Sequence, residues 1–146
     1  MTYADVNGIL TRLPGMQRAC VVERLANGPT NSTYRVAADD GQFVLRLDNP
    51  EALPLGLDRA NERIVSAAAA AAGLTPAYSY FDLGSGVCLR PFIAGRSLRR
   101  EDLMNAQTLE QLAGVLNQLH ALPPLGGPFD PAAAARRYAA AAPSPE

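Results

Sequence analysis

The chain has 146 residues, the size of one ordinary domain, and we expect folding to bury roughly two-thirds of its unfolded surface. Its net charge is -1 and its pI about 5.8, which excludes a domain-wide basic field for nucleic acid or an anionic membrane. No run of about 18 apolar residues and no secretory leader pattern occurs. We therefore expect a cytoplasmic protein with neither a membrane nor a nucleic acid as partner.

The two cysteines lie in apolar, strand-like runs, "ACVVERL" and "GVCLRPF". A free cysteine in such a run behaves as a small hydrophobe, so we predict that Cys20 and Cys88 are buried thiols. The sequence has one histidine and no C-x-x-C motif. We therefore expect no metal site built by the protein.

The first predicted element is a helix over residues 2–12, which ends at "LPG". Three strands are predicted next, at 18–25, 32–38 and 42–48. Asp39, Asp40 and Gly41 separate the last two strands with typical turn residues, which predicts an antiparallel hairpin. The inward side chains of the helix are predicted to be Val6, Ile9, Leu10 and Leu13.

A second helix is predicted over residues 58–73, with Asp58 as its N-cap and Gly73 at its end. Six consecutive alanines, at 67–72, favour a helix lying close to a sheet, because alanine is the best helix former and has little side chain. A disordered alanine tract is the alternative. The predicted inner face consists of Ile64, Val65 and Ala68.

A second hairpin is predicted from strands at 76–82 and 86–92, joined by "LGSG". From residue 100 onward the apolar period becomes that of an amphipathic helix. A last helix is predicted in "DPAAAARRYAAAA", before a frayed "PSPE". The amphipathic face consists of Leu109, Leu112, Val115, Leu116 and Leu119.

The pattern predicts an α+β protein with a β-rich part at 1–93 and a helical part at 94–146. Little chain follows to cover the apolar stripe of the long helix, defined here by the span 109–119. An uncovered stripe of this kind favours dimerisation or aggregation. We therefore expect residues 98–146 to pack less stably than residues 15–92.

Three features in chain order predict a phosphate site: the loop in "LANGPTNSTYRV", an arginine in "QFVLRLDN", and an acid near the start of a helix. Arg46 presents a planar fork suited to bidentate contact with phosphate or carboxylate. Glu62 would orient that fork and offset the cost of burying it in part. Backbone N–H groups and hydroxyls of the loop can approach phosphate oxygens. The loop residues are Asn27, Gly28, Pro29, Thr30, Asn31, Ser32 and Thr33.

Each feature also has a simpler interpretation. The loop is then only a polar turn, and the Arg46 stem packs while its head reaches water. Glu62 then forms only a surface pair with Arg59, three residues earlier on the helix. The occurrence of all three features in this order favours the phosphate site.

The chain resembles the N-terminal half of the aminoglycoside phosphotransferase and choline kinase superfamily in the order and spacing of six segments. These segments are "LANGPTNSTYRV", "FVLRL", "LDRANE", "LTPAYSYF", "RPFIAGRSL" and "LAGVLNQLHAL". The resemblance covers residues 15–125 and is strongest to the choline, ethanolamine and thiamine kinase-like branch. It implies a protein-kinase-like N-lobe, with a five-stranded antiparallel sheet plus one helix, followed by the first helices of an incomplete C-lobe.

The resemblance also implies roles for particular residues. Arg46 would contact the phosphates of ATP, and Glu62 would pair with it. Backbone groups of Arg90 and Phe92 would bond adenine, within a hinge at 89–93. The loop at Asn27 to Ser32, which includes Gly28, Thr30 and Asn31, would cover the phosphates.

The helix at 108–122 would be the first long helix of the C-lobe. His120 lies at its end, where a histidine can bond free carbonyls and favour the helix dipole, so we expect a structural role for it. Phosphoryl transfer needs an aspartate for the acceptor hydroxyl and further ligands for Mg²⁺. In the family these lie downstream, in an H-x-D-x-x-x-x-N loop and a later aspartate.

Downstream of His120 the sequence has no further histidine, no asparagine, and Asp130 as its one aspartate. Asp130 precedes Pro131, a pattern typical of a helix start. We therefore predict no catalytic residue and no metal ligand in this chain, with Mg²⁺ relevant only to a complete C-lobe. We expect no phosphotransfer by these residues alone.

The leading hypothesis is the N-terminal part of an ATP-dependent phosphotransferase acting on a small-molecule hydroxyl of choline, thiamine or aminoglycoside type. The alternative is a non-catalytic module that binds nucleotide or forms a homodimer through the 109–119 stripe. A third hypothesis is an inactive remnant. The acceptor substrate is not specified by the sequence.

Overall fold

The computed structural model describes residues 2–126 and 130–141, which form one sheet and a set of helices. The predicted α+β class is confirmed. The predicted frayed "PSPE" lies outside the described residues, and the division of the chain near residue 93 stays a prediction. In chain order the elements are α1 (Tyr3–Leu10), β1 (Cys20–Asn27), β2 (Asn31–Ala38), β3 (Gly41–Asp48), a 3-10 helix (Pro50–Leu55), α2 (Arg59–Ala71), β4 (Tyr80–Asp82), β5 (Val87–Pro91), a 3-10 helix (Arg100–Met104), α3 (Ala106–His120) and α4 (Pro131–Ala141).

The five strands pair antiparallel in the order β1-β2-β3-β5-β4. The predicted hairpin of β2 and β3 turns at Asp39 and Asp40, with Gly41 at φ +142°, a conformation that residues with a Cβ rarely adopt. The second predicted hairpin, β4 and β5, is also formed. β4 is shorter than the predicted 76–82 strand, which began at Pro76, a residue with no N–H for the ladder.

One face of the sheet packs against α1 and forms the core. Thr2 and Asp5 make a capping box at the start of α1, and its Val6 and Leu10 are fully buried. The strand residues on this face alternate with those on the other, as the period of a β-strand requires. The core cluster consists of Val6, Leu10, Leu13, Met16, Ala19, Tyr34, Val36, Phe43, Leu45, Leu47, Val87 and Leu89.

The two cysteines differ in exposure, so the prediction of two buried thiols is correct for one of them. Cys88 lies on β5, inside the sheet, and is 1% exposed. Cys20 is exposed, because it begins β1, which is an edge strand with a neighbour on one side only.

Helix α2 has the predicted ends but not the predicted packing. Asp58 caps it by accepting a hydrogen bond from the Asn61 N–H at 2.8 Å, and Gly73 follows it at φ +73°. No side chain of α2 is buried, and Ile64, predicted to face inward, is 54% exposed. The inner-face prediction is wrong at Ile64 because the helix meets the sheet through the charged side chains of its first turn.

The helical part begins with α3, which Asn105 caps by accepting from the Thr108 N–H at 3.1 Å. Asp130 accepts from the N–H groups of Ala132 and Ala133, which confirms it as the start of α4. Within the described part of the chain, none of the helices is both long and apolar enough to cross a membrane. Several apolar side chains of α3 are exposed by more than 40%: Leu109, Val115, Leu116 and Leu119.

Candidate functional site

Arg46 lies on the face of the sheet opposite the core. Across the ladder it lies between Thr33 on β2 and Cys88 on β5, while the neighbouring Val44 lies opposite Arg90. Residues directly opposite each other in a ladder share a face, so these side chains form one surface. A small cavity of about 60 Å³ opens on this surface, lined by Thr33, Val44, Arg46, Tyr78, Cys88 and Arg90.

The predicted partners Arg46 and Glu62 are in direct contact. Arg46 Nη1 donates to Glu62 Oε1 at 2.5 Å, and Nη2 donates to Oε2 at 3.2 Å. Nη2 also donates to Cys88 Sγ at 3.2 Å. The Arg46 side chain is 17% exposed, so its charge is largely removed from water. A partly buried guanidinium requires such a carboxylate partner, because an unpaired charge there would be costly.

Arg59 joins this pair to the end of strand β3. Its Nη1 donates to Glu62 Oε2 at 2.7 Å, and its Nε and Nη2 donate to the two oxygens of Asp48, each at 2.8 Å. Arg46 Nε lies 3.4 Å from Asp48 Oδ1 without a hydrogen bond. The four side chains alternate in sign and close on themselves. We call Arg46, Glu62, Arg59 and Asp48 the four-charge ring.

Contact within the ring shifts the pKa values of two of its members, Arg46 and Glu62. Burial alone would lower the pKa of Arg46, but the hydrogen bonds and charge of Glu62 outweigh burial and raise it above its usual range. Burial likewise raises the pKa of Glu62, but hydrogen bonds from Arg46 and Arg59 bring it below its ordinary value of 4.5. Arg46 and Glu62 are therefore both charged at neutral pH.

Two uncharged groups complete the surroundings of Glu62. The Tyr78 hydroxyl donates to Glu62 Oε1 at 3.1 Å. Burial is the main reason that the pKa of Tyr78 lies above 10.0. Burial also raises the pKa of the Cys88 thiol above 9.0, despite the nearby Arg46 charge. Both groups are therefore uncharged at neutral pH. The Tyr78 hydroxyl donates to Glu62, whereas the Cys88 sulfur accepts from Arg46.

The predicted phosphate loop joins β1 and β2 at the end of the sheet where Asp48 lies. Asn31 lies opposite Asp48 in the ladder. Asn49 fixes the loop to the end of β3. Its N–H donates to Thr30 O at 2.9 Å, and its Nδ2 donates to Pro29 O at 3.1 Å. The Gly28 N–H is already bonded, to Asn31 O at 2.9 Å. The loop is thus a fixed hairpin turn next to the four-charge ring.

Two of the predicted loop side chains face away from Arg46. Ser32 Oγ donates to Asn27 Oδ1 at 2.8 Å, and Arg24 Nη2 donates to the same oxygen at 2.9 Å. Ser32 lies opposite Leu47, on the core face, because it is one residue removed from Thr33. The hydroxyl on the Arg46 face therefore belongs to Thr33 rather than to Ser32.

The hinge assignment to Arg90 and Phe92 does not fit the ladder between β3 and β5. The Phe92 N–H donates to Gln42 O at 2.9 Å, so it is already used. Bonded and non-bonded pairs alternate along an antiparallel ladder, and Arg90, paired with Val44, has the same parity as Phe92. The backbone groups of both residues therefore face β3.

The backbone groups of Leu89 and Pro91, which alternate with Arg90 and Phe92 along β5, face away from β3. The Leu89 C=O faces away from β3 and accepts from the Ser79 N–H at 2.8 Å. β4 pairs with β5 no further than Leu89, so the next group with this parity, the Pro91 C=O, points past the end of that ladder. The free backbone edge of β5 begins at Pro91.

Sequence reasoning missed four contacts of the predicted pair, which are made by Asp48, Arg59, Tyr78 and Cys88. Asp48 and Arg59 carried usable signals, since Asp48 is two residues from Arg46 on the same strand face and Arg59 is three residues from Glu62 on the helix. Tyr78 carried none, because its approach to Glu62 depends on how the segment before β4 crosses α2.

The donor set does not fit a metal ion. Within residues 2–126 and 130–141, no group of three or more histidine, cysteine, aspartate or glutamate side chains is arranged so that it could hold a metal ion. The two carboxylates nearest Arg46, Asp48 and Glu62, are both bonded to arginines. We therefore assign Mg²⁺ to none of these residues.

Comparison with known proteins identifies a family for this chain. Residues 21–145 match the phosphotransferase enzyme family, APH. The chain belongs to this phosphotransferase family. No curated protein matches the sequence of this chain significantly.

Three solved structures share the fold of this chain. A choline/ethanolamine kinase family protein from Mesorhizobium loti has a TM-score of 0.67 and 24% identity, over 89% of this chain and 42% of that one. Choline kinase LicA from Streptococcus pneumoniae has a TM-score of 0.69 and 17% identity, over 94% and 47%. An ethanolamine kinase from Plasmodium vivax has a TM-score of 0.59 and 19% identity, over 82% and 31%.

The fold is therefore the kinase-like N-lobe of these neighbours, as the sequence predicted. The chain spans less than half the length of each of the three structures.

Proposed function

We propose that this chain is the nucleotide-binding lobe of an ATP-dependent phosphotransferase that acts on a small-molecule hydroxyl. The observation that carries the proposal is the Arg46–Glu62 pair on the open face of the sheet, in a chain of the phosphotransferase enzyme family. The pair holds a cation in one orientation beside a polar loop. That is the arrangement that a polyphosphate needs.

Arg46 has hydrogen-bonding capacity left for a phosphate. A guanidinium carries five N–H donors. Among the described residues, Nη1 has one acceptor, Nη2 has two, and Nε has none. The second Nη1–H therefore has no acceptor and can contact a phosphate oxygen while Glu62 keeps its own bonds, whereas Nε is buried beside Asp48.

Adenine would bind at the free edge of β5. Its 6-amino group is a donor and the adjacent ring N1 is an acceptor, so it needs one acceptor and one donor side by side. The Pro91 C=O would accept from the amino group, and the Ile93 N–H, two residues further on, would donate to N1. This assignment replaces the one to Arg90 and Phe92, whose backbone groups face β3.

The lobe's share of the chemistry is to hold and orient ATP. Transfer forms a bond from the acceptor oxygen to the γ-phosphorus, breaks the bond to the β–γ bridging oxygen, and sends the hydroxyl proton to a base. Glu62 and Asp48 do not fit the role of base, because both already accept hydrogen bonds from arginines. Mg²⁺ would supply charge neutralisation on the phosphates. Both the base and the metal ligands would come from residues outside this site.

The acceptor would be a small alcohol of the choline, thiamine or aminoglycoside type. The fold neighbours named as choline and ethanolamine kinases support an amino alcohol. A second candidate function, a module that binds nucleotide without catalysis or dimerises, is favoured by the exposed apolar side chains of α3.

The test is a calorimetric titration of the chain with ATP and Mg²⁺. We expect the wild type to bind and Arg46→Met to bind about tenfold to hundredfold more weakly, since a charged hydrogen-bonded contact is lost. Arg63→Met is the matched control, because Arg63 is exposed on the same helix as Glu62 and makes no ion pair with any described residue. Equal affinity in wild type and Arg46→Met, or no binding by either, would refute the proposal.

A further inference from the structure

We infer that Arg59, anchored on Asp48, is a positioning residue that sets the Arg46–Glu62 pair for phosphate. The inference rests on the proposed function and assigns a task to two residues that the family resemblance left without one. Arg59 donates three N–H groups within the ring, one to Glu62 and two to Asp48. It therefore links the helix that carries Glu62 to the strand that carries Arg46.

Packing does not fix the place of Glu62. None of the side chains of α2 is buried, and the aliphatic Ile64, two positions from Glu62, is 54% exposed. Apart from Arg46, the groups that bond the Glu62 carboxylate among the described residues are Arg59 and the Tyr78 hydroxyl. The orientation of Glu62 toward β3 therefore depends on these polar contacts.

Asp48 is a rigid anchor for Arg59. Its N–H donates to Gly86 O at 2.9 Å, so the backbone on which it stands is fixed to the turn before β5. Gly86 has φ +66°, and a Cβ at that position would come within 2.8 Å of the Asp48 Cβ. The Asp48 side chain thus lies between the backbone of Gly86 and the guanidinium of Arg59.

Arg59 also keeps Asp48 from competing for Arg46. Arg46 Nε lies 3.4 Å from Asp48 Oδ1, so a small rotation of the guanidinium would let it bond Asp48 instead of a phosphate. Because Arg59 donates to both Asp48 oxygens, the charge of Asp48 is largely matched by Arg59 and attracts Arg46 less strongly. Removing Arg59 would release Asp48 and leave Glu62 less firmly held, and both changes turn Arg46 away from a ligand.

The binding experiment compares Arg59→Met with Arg63→Met, one helical turn further on, using ATP and adenosine as probes. We expect Arg59→Met to weaken ATP binding about fivefold to tenfold and to leave adenosine binding unchanged, because phosphate contact alone depends on Arg46. The double variant Arg59→Met/Asp48→Asn should recover part of the loss, since the competing carboxylate is gone. Equal weakening for ATP and adenosine, or no recovery in the double variant, would show a merely structural role.

A second measurement keeps the inference separate from the proposed function. In ¹⁵N-labelled chain without nucleotide, the Arg46 Nε–Hε signal should shift in Arg59→Met and stay in place in Arg63→Met. An unchanged Arg46 signal in Arg59→Met overturns the positioning role whether or not ATP binds. Loss of ATP affinity in Arg59→Met alongside full ATP affinity in Arg46→Met would instead contradict the proposed function.

Discussion

Arg46 on β3 and Glu62 on α2 meet through two hydrogen bonds, of 2.5 and 3.2 Å, from one guanidinium to one carboxylate. The contact is the centre of a ring of alternating charge in which every carboxylate serves two arginines. Such rings orient groups more than they stabilise a fold, because the cost of removing the charges from water offsets much of their attraction. The predictions below follow from that geometry.

Glu62 should give the fold an acid-sensitive component. Its folded pKa lies below the ordinary 4.5, so ionisation stabilises the fold above about pH 4.5, and that contribution is lost as pH falls through the folded pKa. We expect Glu62→Gln to lower the free energy of unfolding by about 2 kcal/mol at pH 7 and by much less at pH 3. Urea unfolding at both pH values measures this, with Glu110→Gln on the exposed surface of α3 as control. The same loss at both pH values would contradict the account.

Gly86 should tolerate no side chain. A Cβ there would press on Asp48 and would also occupy a left-handed conformation, at φ +66°. We expect Gly86→Ala to lower the free energy of unfolding by about 1–3 kcal/mol. Gly84→Ala in the same turn is the matched control, since its Cβ would meet only the Asp82 carboxylate at an ordinary 3.5 Å. Thermal unfolding of the two variants measures this difference. An equal loss of unfolding free energy in Gly86→Ala and Gly84→Ala would argue against close packing of Gly86 on Asp48.

The two thiols should react at different rates. Cys20 is exposed, whereas Cys88 is 1% exposed and burial raises its pKa, which lowers the fraction present as thiolate. With an aromatic disulfide reagent at pH 8, we expect one thiol per native chain to react at least about tenfold faster than the other. Cys20→Ser should remove the fast phase. Two equal rates in the native wild type would contradict the burial of Cys88.

Local patterns predicted much of this fold because the relevant physics is local. Strict alternation in "QFVLRLDN" put Phe43, Leu45 and Leu47 on one face and Arg46 on the other, and the structure has the same arrangement. The hairpin at Gly41 and the caps at Asp58 and Asp130 followed from turn and cap chemistry.

The remaining errors come from contacts between residues far apart in sequence, which a local sequence pattern does not predict. The hinge assignment to Arg90 and Phe92 does not allow for ladder parity, which is fixed by the pairing of Val44 with Arg90 and turns the backbone groups of both residues toward β3. The inner face of α2 was wrong at Ile64 because the helix is oriented by Arg59 and its bond to Asp48, eleven residues away. Ser32 was assigned to the phosphate loop without counting strand alternation, which places it opposite Leu47 on the core face.

The apolar side chains of α3 should make the chain self-associate. Leu109 and Leu116 are 47% and 42% exposed on one stripe of the helix. We expect concentration-dependent association in sedimentation velocity, reduced by Leu109→Gln/Leu116→Gln and unaffected by Gln111→Glu on the same helix. A monomer at every concentration would rule out the 109–119 stripe as a contact between copies.

The most direct test of the central claim is an NMR titration of the ¹⁵N-labelled chain with ATP and Mg²⁺. The account predicts that the Arg46 Nε–Hε signal and the backbone amides of Thr30 and Ile93 shift, while those of Val6 and Leu10, under the opposite face, do not. Unmoved signals at Arg46 and Ile93, or shifts confined to the α1 side of the sheet, would contradict a nucleotide site on the Arg46 face.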